Sequence, residues 1–443
     1  RASRWRPRPC AEGLSAAGRR VRSSGHDAMD TTLERFAALD GRLVEAAKDV
    51  KVLSNLAWPA SVSAEFLDRW HAGDPRLPRV EGRRVRFSRN TGALESIMAD
   101  CDREHPVGRY LYRTARSYVV AAAMMEASGT PEFTARSLEL YGGPTDPVGP
   151  GQVSNLEAAG QFLALTEDFR DAGYIAEQDY CITPQHVADT LRRSLEPVFG
   201  ERQISVVIDP DMSAKAAAGP TRVRLRGATC FSEYDVAQLI EHEVFVHALT
   251  SLNGREQPHL RTLGLGAPRT TATQEGLATF AEMITNAIDL ARLRRLALRV
   301  KAVHLALDGA DFIDVFRFFH EAGQDPEESF HSTARVFRGG DVAGKVVFTK
   351  DVVYLRGLLG VHAFFLKAIQ SGRPELIHHL FAGRMALGDA LELDPFFRSG
   401  ALIAPRYEPG WVKNRATLAA FLIFSLLSTS LRLTGIELPD FGE

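Results

Sequence analysis

The chain has 443 residues, of which 45% are hydrophobic and 24% charged, so it can bury a full core without disulfides. Its formal net charge of -2 provides no overall positive field, and neither nucleic acid nor a membrane is expected as a partner. Cys10, Cys101, Cys181 and Cys230 are far apart and form no CxxC pair. This spacing argues against cysteine-ligated zinc and predicts a reducing compartment, the cytoplasm.

Residues 1–28 contain seven arginines, two acidic residues and no secretory apolar segment. Such a stretch predicts disorder, as a non-native leader ahead of Met29 or, alternatively, as a transit peptide. We expect an N-terminal helical portion to follow at 29–195 and a catalytic core at 196–443.

The N-terminal portion shows helical spacing of its apolar residues in several segments. Helices are predicted at 29–50, 93–103, 106–128, 153–172 and 183–199. The segment 141–151 is dense in glycine and proline and predicts a loop. Two β-branched or alternating segments, 204–208 and 221–231, predict strands just ahead of a motif-bearing helix.

The C-terminal portion is predicted to be nearly all helix from residue 232, with loops at 253–269, 323–328 and 338–345. Its most apolar segment, 416–431, is shorter than the ~20 residues that a membrane span needs and contains several serines. We therefore predict a buried helix there.

A capping box from Ser232 to Asp235 starts a helix that carries His242-Glu243-Val-Phe-Val-His247. Histidines four apart on a helix can bind one ion, but these are five apart, which places them about 140° apart on a regular α-helix. A local π-bulge restores a shared face. A metal site therefore requires a π-bulge at about residues 244–247.

The next helix contains the third candidate ligand, Glu275, in the segment TQEGLATFAE. Two histidines and one carboxylate leave a fourth position open around a single Zn²⁺, which is typical of catalytic rather than structural sites. Glu243 follows His242 directly and is placed to act as the general base and acid. The alternative is a pair of unrelated helical histidines.

Both segments, IEHEVFVHALTSLNG and TQEGLATFAE, resemble the paired signature of the QEGLA-motif family, whose animal members are the microtubule-associated tyrosine carboxypeptidases. Further similar segments are LVEAAKDVKVLSNLAWP, LYGGPTDPV, ARVFRGG and FTKDVVYLRG. The resemblance implies a zinc metallopeptidase with ligands His242, His247 and Glu275 and the acid/base Glu243.

The resemblance also implies a substrate, because animal members remove a C-terminal tyrosine from tubulin. Bacterial members are labelled as modulators of flavohaemoglobin expression. Only 8 of the 53 basic residues are lysines, as in proteins from GC-rich, mostly bacterial, genomes, so tubulin is not expected. A peptide or protein C-terminus, with an aromatic last residue, is the substrate that the resemblance implies.

Four residues are weaker candidates for contacts with such a substrate. Arg335 and Arg338 could bind the terminal carboxylate, since arginine pairs with carboxylates through two hydrogen bonds. Lys350 and Tyr354 are four apart on one helix face, and Tyr354 could donate to the oxyanion. The alternatives are an ordinary surface pair of arginines and a half-buried structural tyrosine.

We therefore expect a mostly helical α+β fold, zincin-like, with a small sheet over the HExxxH helix. The competing functions are a regulatory zinc-containing binding protein and a hydrolase of a non-peptide amide. An intact Glu243 argues against the first, because a purely structural site needs no general base.

Overall fold

The computed structural model describes residues 24–80, 85–148, 153–171, 181–200, 204–210, 215–219, 221–227 and 229–431. Residues 1–23 of the predicted leader lie outside the described residues. Residues 24–28 lie in the first helix rather than in a disordered segment. The domain boundary at residue 196 stays a prediction.

The N-terminal portion is helical, as predicted. Its helices are α1 Ser24–Ala47, α2 Val52–Asn55, α3 Ala60–His71, α4 Ser88–Asp100, α5 Pro106–Glu126, α6 Pro131–Tyr141, α7 Asn155–Asp171 and α8 Pro184–Phe199. The prediction missed α2, α3 and α6. Pro131 marks the start of α6, since proline is favoured in the first helical turn.

A small three-stranded sheet follows, with strands β1 Ser205–Asp209, β2 Ala216–Ala218 and β3 Arg222–Arg226 in the order β1-β3-β2. β1 pairs with β3 in parallel, and β2 pairs with β3 antiparallel. Both predicted strands are confirmed, although each is displaced or shortened by a few residues. β2 was missed because a run of alanines has little strand preference.

The C-terminal portion is built from helices packed around the predicted motif segments. They are α9 Glu233–Leu239, a π-helix Ile240–Ala248, α10 Leu249–Arg255, α11 Thr271–Ile284, α12 Leu290–Asp308, α13 Phe312–Glu321, α14 Pro326–Phe337, α15 Val353–Gln370, α16 Glu375–His379, α17 Leu387–Glu392, α18 Asp394–Ser399, α19 Gly410–Lys413 and α20 Arg415–Ser430. Short 3₁₀ turns occupy Arg261–Gly264, Pro268–Thr270 and Thr349–Val352. The fold is mostly helical α+β, as expected.

Helix α11 lies in the core and contacts both the π-helix and α15. A Cβ atom on Gly276 would lie 2.3 Å from the carbonyl carbon of Gly357 in α15, so only glycine allows this approach. Gly276 therefore serves the close packing of α11 against α15. On another side of α11, Gln274 accepts a hydrogen bond from the Thr250 hydroxyl of α10 at 2.9 Å.

Helix α20 confirms the predicted C-terminal helix, but it is buried on one face only. Leu418 and Leu422 are in the core, whereas Phe424 is 69% exposed. By length and composition alone, one segment of the described chain, Thr349–Gln370, is long and apolar enough to cross a bilayer, whereas α20 is too short. Half of that segment is buried inside the protein, and core helices pass the same test.

A disulfide joins Cys181 to Cys230, a pairing that the wide spacing of the cysteines in the sequence did not predict. The bond lies beside a short antiparallel bridge between Ile182 and Phe231, which brings the two segments together. Cys101 is free and buried. The cytoplasmic location that rested on the cysteine pattern stays a prediction.

Candidate metal centre and active site

The helix that carries the histidines departs from α-helical geometry where a shared metal requires it. The capping box is formed as predicted: Ser232 accepts from the Asp235 amide, and Asp235 accepts from the Ser232 amide. The predicted bulge is present as a nine-residue π-helix, Ile240–Ala248. Its backbone bonds span five residues, so His242 and His247 lie on one face, with ring centroids 4.8 Å apart.

His242, His247 and Glu275 converge, with one potential ligand atom of each within 4.8 Å of the others. Oε2 of Glu275 lies 3.4 Å from Nε2 of His242 and 3.7 Å from Nε2 of His247. Two imidazole nitrogens and one carboxylate oxygen around one point form the donor set of a catalytic divalent metal. The residues present therefore fit a metal ion.

Glu282 completes the centre from α11; it is the last residue of the segment TQEGLATFAE and was not among the predicted site residues. Its Oε1 lies 2.5 Å from Nδ1 of His242, and Arg292 donates to both of its oxygens at 3.2 Å. Burial raises the pKa of Glu282, but Arg292 and His242 outweigh burial and lower it to about 2. The ionised carboxylate accepts from Nδ1, which leaves Nε2 of His242 free to bind a metal.

The same hydrogen bonds hold a proton on the His242 ring, and a metal ion that binds there has to displace it. Burial lowers the pKa of His242, yet its hydrogen bonds to Glu275 and Glu282 raise it to about 10. Metal binding must therefore release a proton from this ring.

We expect Glu282→Gln to weaken metal binding by about 10- to 100-fold, because the amide no longer fixes the His242 ring as a carboxylate does. Isothermal titration with zinc would measure the dissociation constant. Glu328→Gln is the control and should leave the dissociation constant unchanged, because Glu328 is a partly exposed carboxylate on α14 that pairs with Arg295 of α12. Equal affinity in the two variants would show that Glu282 does not support the ligand.

A row of polar groups leads away from Glu275 on the side opposite the histidines. Nζ of Lys350 donates to Oε1 of Glu275 at 2.9 Å and lies 3.3 Å from the Tyr354 hydroxyl. Burial raises the pKa of Tyr354, as does Glu275, but Lys350 and Arg335 outweigh both and hold it below its usual value. Tyr354 is therefore a strengthened hydrogen-bond donor near the metal ligands.

Arg335 is less available to a substrate than the sequence suggested. It donates to Asp351 through two hydrogen bonds, of 2.6 and 2.7 Å, and to the Tyr354 hydroxyl at 3.1 Å. Arg335 does not match the alternative of an ordinary surface arginine either, because its side-chain exposure is only 27%. Arg338 is half-buried with its guanidinium over the Phe348 ring, and its Nε has no hydrogen-bond partner among the described residues.

Arg384 is a further residue of the centre that sequence reasoning missed. Its Nη2 donates to the His247 carbonyl at 2.7 Å and so braces the end of the π-helix. Its charge also interacts with Glu243 and Glu275. No motif contains Arg384, which is 137 residues from His247, so no local signal could have found it.

The geometry agrees with a comparison against known families. A family model described as microtubule-associated tyrosine carboxypeptidase matches residues 64–430. That match covers most of the chain and includes both motif helices. The chain belongs to the microtubule-associated tyrosine carboxypeptidase family. No curated protein matches it.

Membership of the carboxypeptidase family gives the converging residues a common chemistry. The match spans His242, Glu243, His247 and Glu275, together with the Lys350 and Tyr354 row. Carboxypeptidase-like activity on a protein C-terminus is what the family implies.

Proposed function

We propose that this protein is a zinc-dependent carboxypeptidase that hydrolyses the last peptide bond of a protein or peptide. The observation that supports this most is the convergence of His242, His247 and Glu275 on a π-helix and α11. Two neutral imidazoles and a carboxylate favour zinc over harder ions such as magnesium. One zinc ion per chain is expected.

A zinc ion held there would polarise the scissile carbonyl and lower the pKa of the attacking water. Glu243, next to His242 on the π-helix, takes the proton from that water as it attacks. The same carboxyl group then gives the proton to the departing amine, so the peptide C–N bond breaks and a free amino acid leaves.

Tyr354 and its neighbours receive the end of the substrate. The acidified hydroxyl donates a hydrogen bond to the oxygen that becomes negative as water adds. Lys350 and Arg335, which border Tyr354 at 3.3 and 3.1 Å, provide the positive charge that attracts the terminal carboxylate. A peptide with a blocked C-terminus is therefore a poor substrate.

The test combines metal content with peptide cleavage. Elemental analysis of the purified protein should find one zinc per chain, and Glu275→Ala should lose it because only two ligands remain. Wild type should release single residues from peptides with a free C-terminus and none from C-terminally amidated copies. If Glu275→Ala keeps the metal, or wild type binds none, the proposed centre is wrong.

The regulatory binding protein is the alternative function, and one measurement separates it from the enzyme. Such a protein would bind zinc at the same ligands but release no amino acid from any peptide. Tubulin tails are not proposed as the substrate, because the arginine-rich, lysine-poor composition indicates a bacterial protein.

A further inference from the structure

Helix α20 presents an apolar face to solvent. The exposed fractions of Ile423, Phe424 and Leu427 are 55%, 69% and 49%, and Leu431, just past the end of the helix, is 58% exposed. The Leu431 amide donates to the Leu427 carbonyl at 3.0 Å, so this residue continues the helical path. Several large apolar side chains exposed on one helix mark an interaction surface, whereas single ones need no explanation.

The opposite face of α20 attaches the helix firmly to the core. Phe421 packs edge-on against Phe280 of α11, with ring centroids 5.8 Å apart, and Nε2 of His362 in α15 lies 3.2 Å from Oγ of Ser425. Leu422 on the same side is 1% exposed. The core therefore fixes which side of α20 faces outward.

The exposed apolar residues are spaced symmetrically along the helix. At 3.6 residues per turn they lie within about 100° of the helix circumference. Successive members are four, three, one, three and four positions apart, so the spacing is the same from either end. They are Ala416, Ala420, Ile423, Phe424, Leu427 and Leu431, and we refer to them as the outer stripe.

We propose that α20 is the interface of a two-fold symmetric dimer, in which it packs antiparallel against α20 of a second copy. In such a pair, each position meets the position equally far beyond the midpoint of the outer stripe. Ala420 then faces Leu427 of the partner subunit, and Ala416 faces Leu431 of the partner subunit. A small side chain meets a large one in each of these pairs, so the outer stripe is complementary to itself, as a two-fold interface requires.

The distribution of charge favours a second copy over a membrane as the occupant of the outer stripe. Helices that lie on a membrane carry lysine and arginine along a polar face. The sequence from 416 to 431 contains no charged residue, and the nearest basic residues, Lys413 and Arg415, precede it. Antiparallel pairing places these two cations beside the C-terminal end of the partner's helix, where the helix dipole favours positive charge.

The exposed area is close to what a specific dimer needs. The large residues of the outer stripe are about half exposed, and Leu426 beside them is 43% exposed. Since a large apolar side chain covers roughly 150–250 Å², two copies together bury roughly 1,000 Å², the lower limit for a specific interface. We therefore expect a reversible dimer whose fraction rises with protein concentration.

Sedimentation equilibrium of the full chain, at concentrations from about 1 to 100 μM, measures the dimer dissociation constant. Leu427→Glu should raise this constant by at least about 100-fold, because it buries an unpaired charge in the interface. Leu391→Glu is the control, since Leu391 is a 45% exposed leucine on α17, outside the outer stripe. It should dimerise as wild type does, and circular dichroism should show the same helix content in all three proteins.

The double variant Ala420→Lys, Leu427→Glu tests the antiparallel pairing. In that arrangement each new cation meets a new anion of the partner subunit, so the dissociation constant should return to within about 10-fold of wild type. In a parallel pair, like charges would meet and no dimer would form.

The possible outcomes do not depend on the proposed carboxypeptidase activity. If wild type stays monomeric, or if Leu427→Glu dimerises as wild type does, the interface is wrong. If wild type is monomeric and sediments with vesicles of phosphatidylcholine and phosphatidylglycerol, whereas Leu427→Glu does not, the outer stripe binds a membrane instead. If Leu427→Glu and the double variant are both monomeric, the antiparallel pairing is wrong.

Discussion

Replacement of Glu243 by glutamine should lower kcat by about 10²- to 10⁴-fold, the range over which a positioned general base contributes. The amide keeps the size of the side chain but cannot accept a proton from water. Zinc content should remain at one per chain, because the three converging atoms belong to His242, His247 and Glu275. Residue release from peptides and elemental analysis of the same preparation measure the two effects.

Glu241 offers a matched control on the same π-helix, two residues before Glu243. Burial raises the pKa of Glu241 to about 7, so its carboxyl group is already partly neutral at physiological pH and Glu241→Gln is a mild exchange. That variant should keep wild-type activity. If Glu243→Gln loses its zinc, Glu243 is a ligand rather than the base; if it keeps full activity, another group takes the proton.

The π-helix could be predicted from the sequence because binding of one ion by both histidines requires it, whatever the helix propensities of the residues between them. Two histidines five apart can share an ion only if the helix is locally widened. Its length of nine residues was not predictable, since it depends on contacts such as that of Arg384 with the His247 carbonyl. Residues far apart in sequence fix such a distortion.

Glu282 was missed for a different reason. It lies seven residues after Glu275, two turns along the same face of α11, so the spacing was visible in the sequence. Spacing alone does not reveal which atom of His242 the carboxylate meets. The pairing of Arg335 with Asp351 is likewise a property of packing between elements.

The disulfide shows the same limitation at longer range. Cys181 and Cys230 are separated by 49 positions, and no spacing rule pairs two cysteines over that distance. They meet because Ile182 and Phe231 pair across the segments that precede α8 and α9. Local patterns therefore predicted helices and ligand sets, whereas contacts between distant segments required the structure.

Replacement of Asp351 by asparagine should lower the free energy of unfolding by about 3–5 kcal/mol, the usual cost of breaking a buried ion pair. Asp351 is 1% exposed and is the acid shared by Arg335 and Arg299. Without the negative charge of Asp351, the positive charges of the surrounding basic residues repel one another in a poorly hydrated region. These residues are Arg299, Arg335, Arg338 and Lys350. Urea unfolding at neutral pH measures the loss.

The pH dependence of that loss follows from the sign of the pKa shift. Burial raises the pKa of Asp351, but Arg335 and Arg299 outweigh burial and hold it well below its usual value. A carboxyl group with a depressed pKa stabilises the fold fully above its unfolded-state pKa of about 3.9, and the stabilisation is lost as the pH falls further. The difference between wild type and Asp351→Asn should therefore be constant near neutrality and shrink below about pH 4.

Asp308→Asn is the control for this measurement, because Asp308 is an exposed acid on α12 that pairs with His304. Its unfolding free energy should stay within about 0.5 kcal/mol of wild type, as for other surface exchanges. A loss in Asp351→Asn no larger than that would show that water or a bound anion already compensates the arginines.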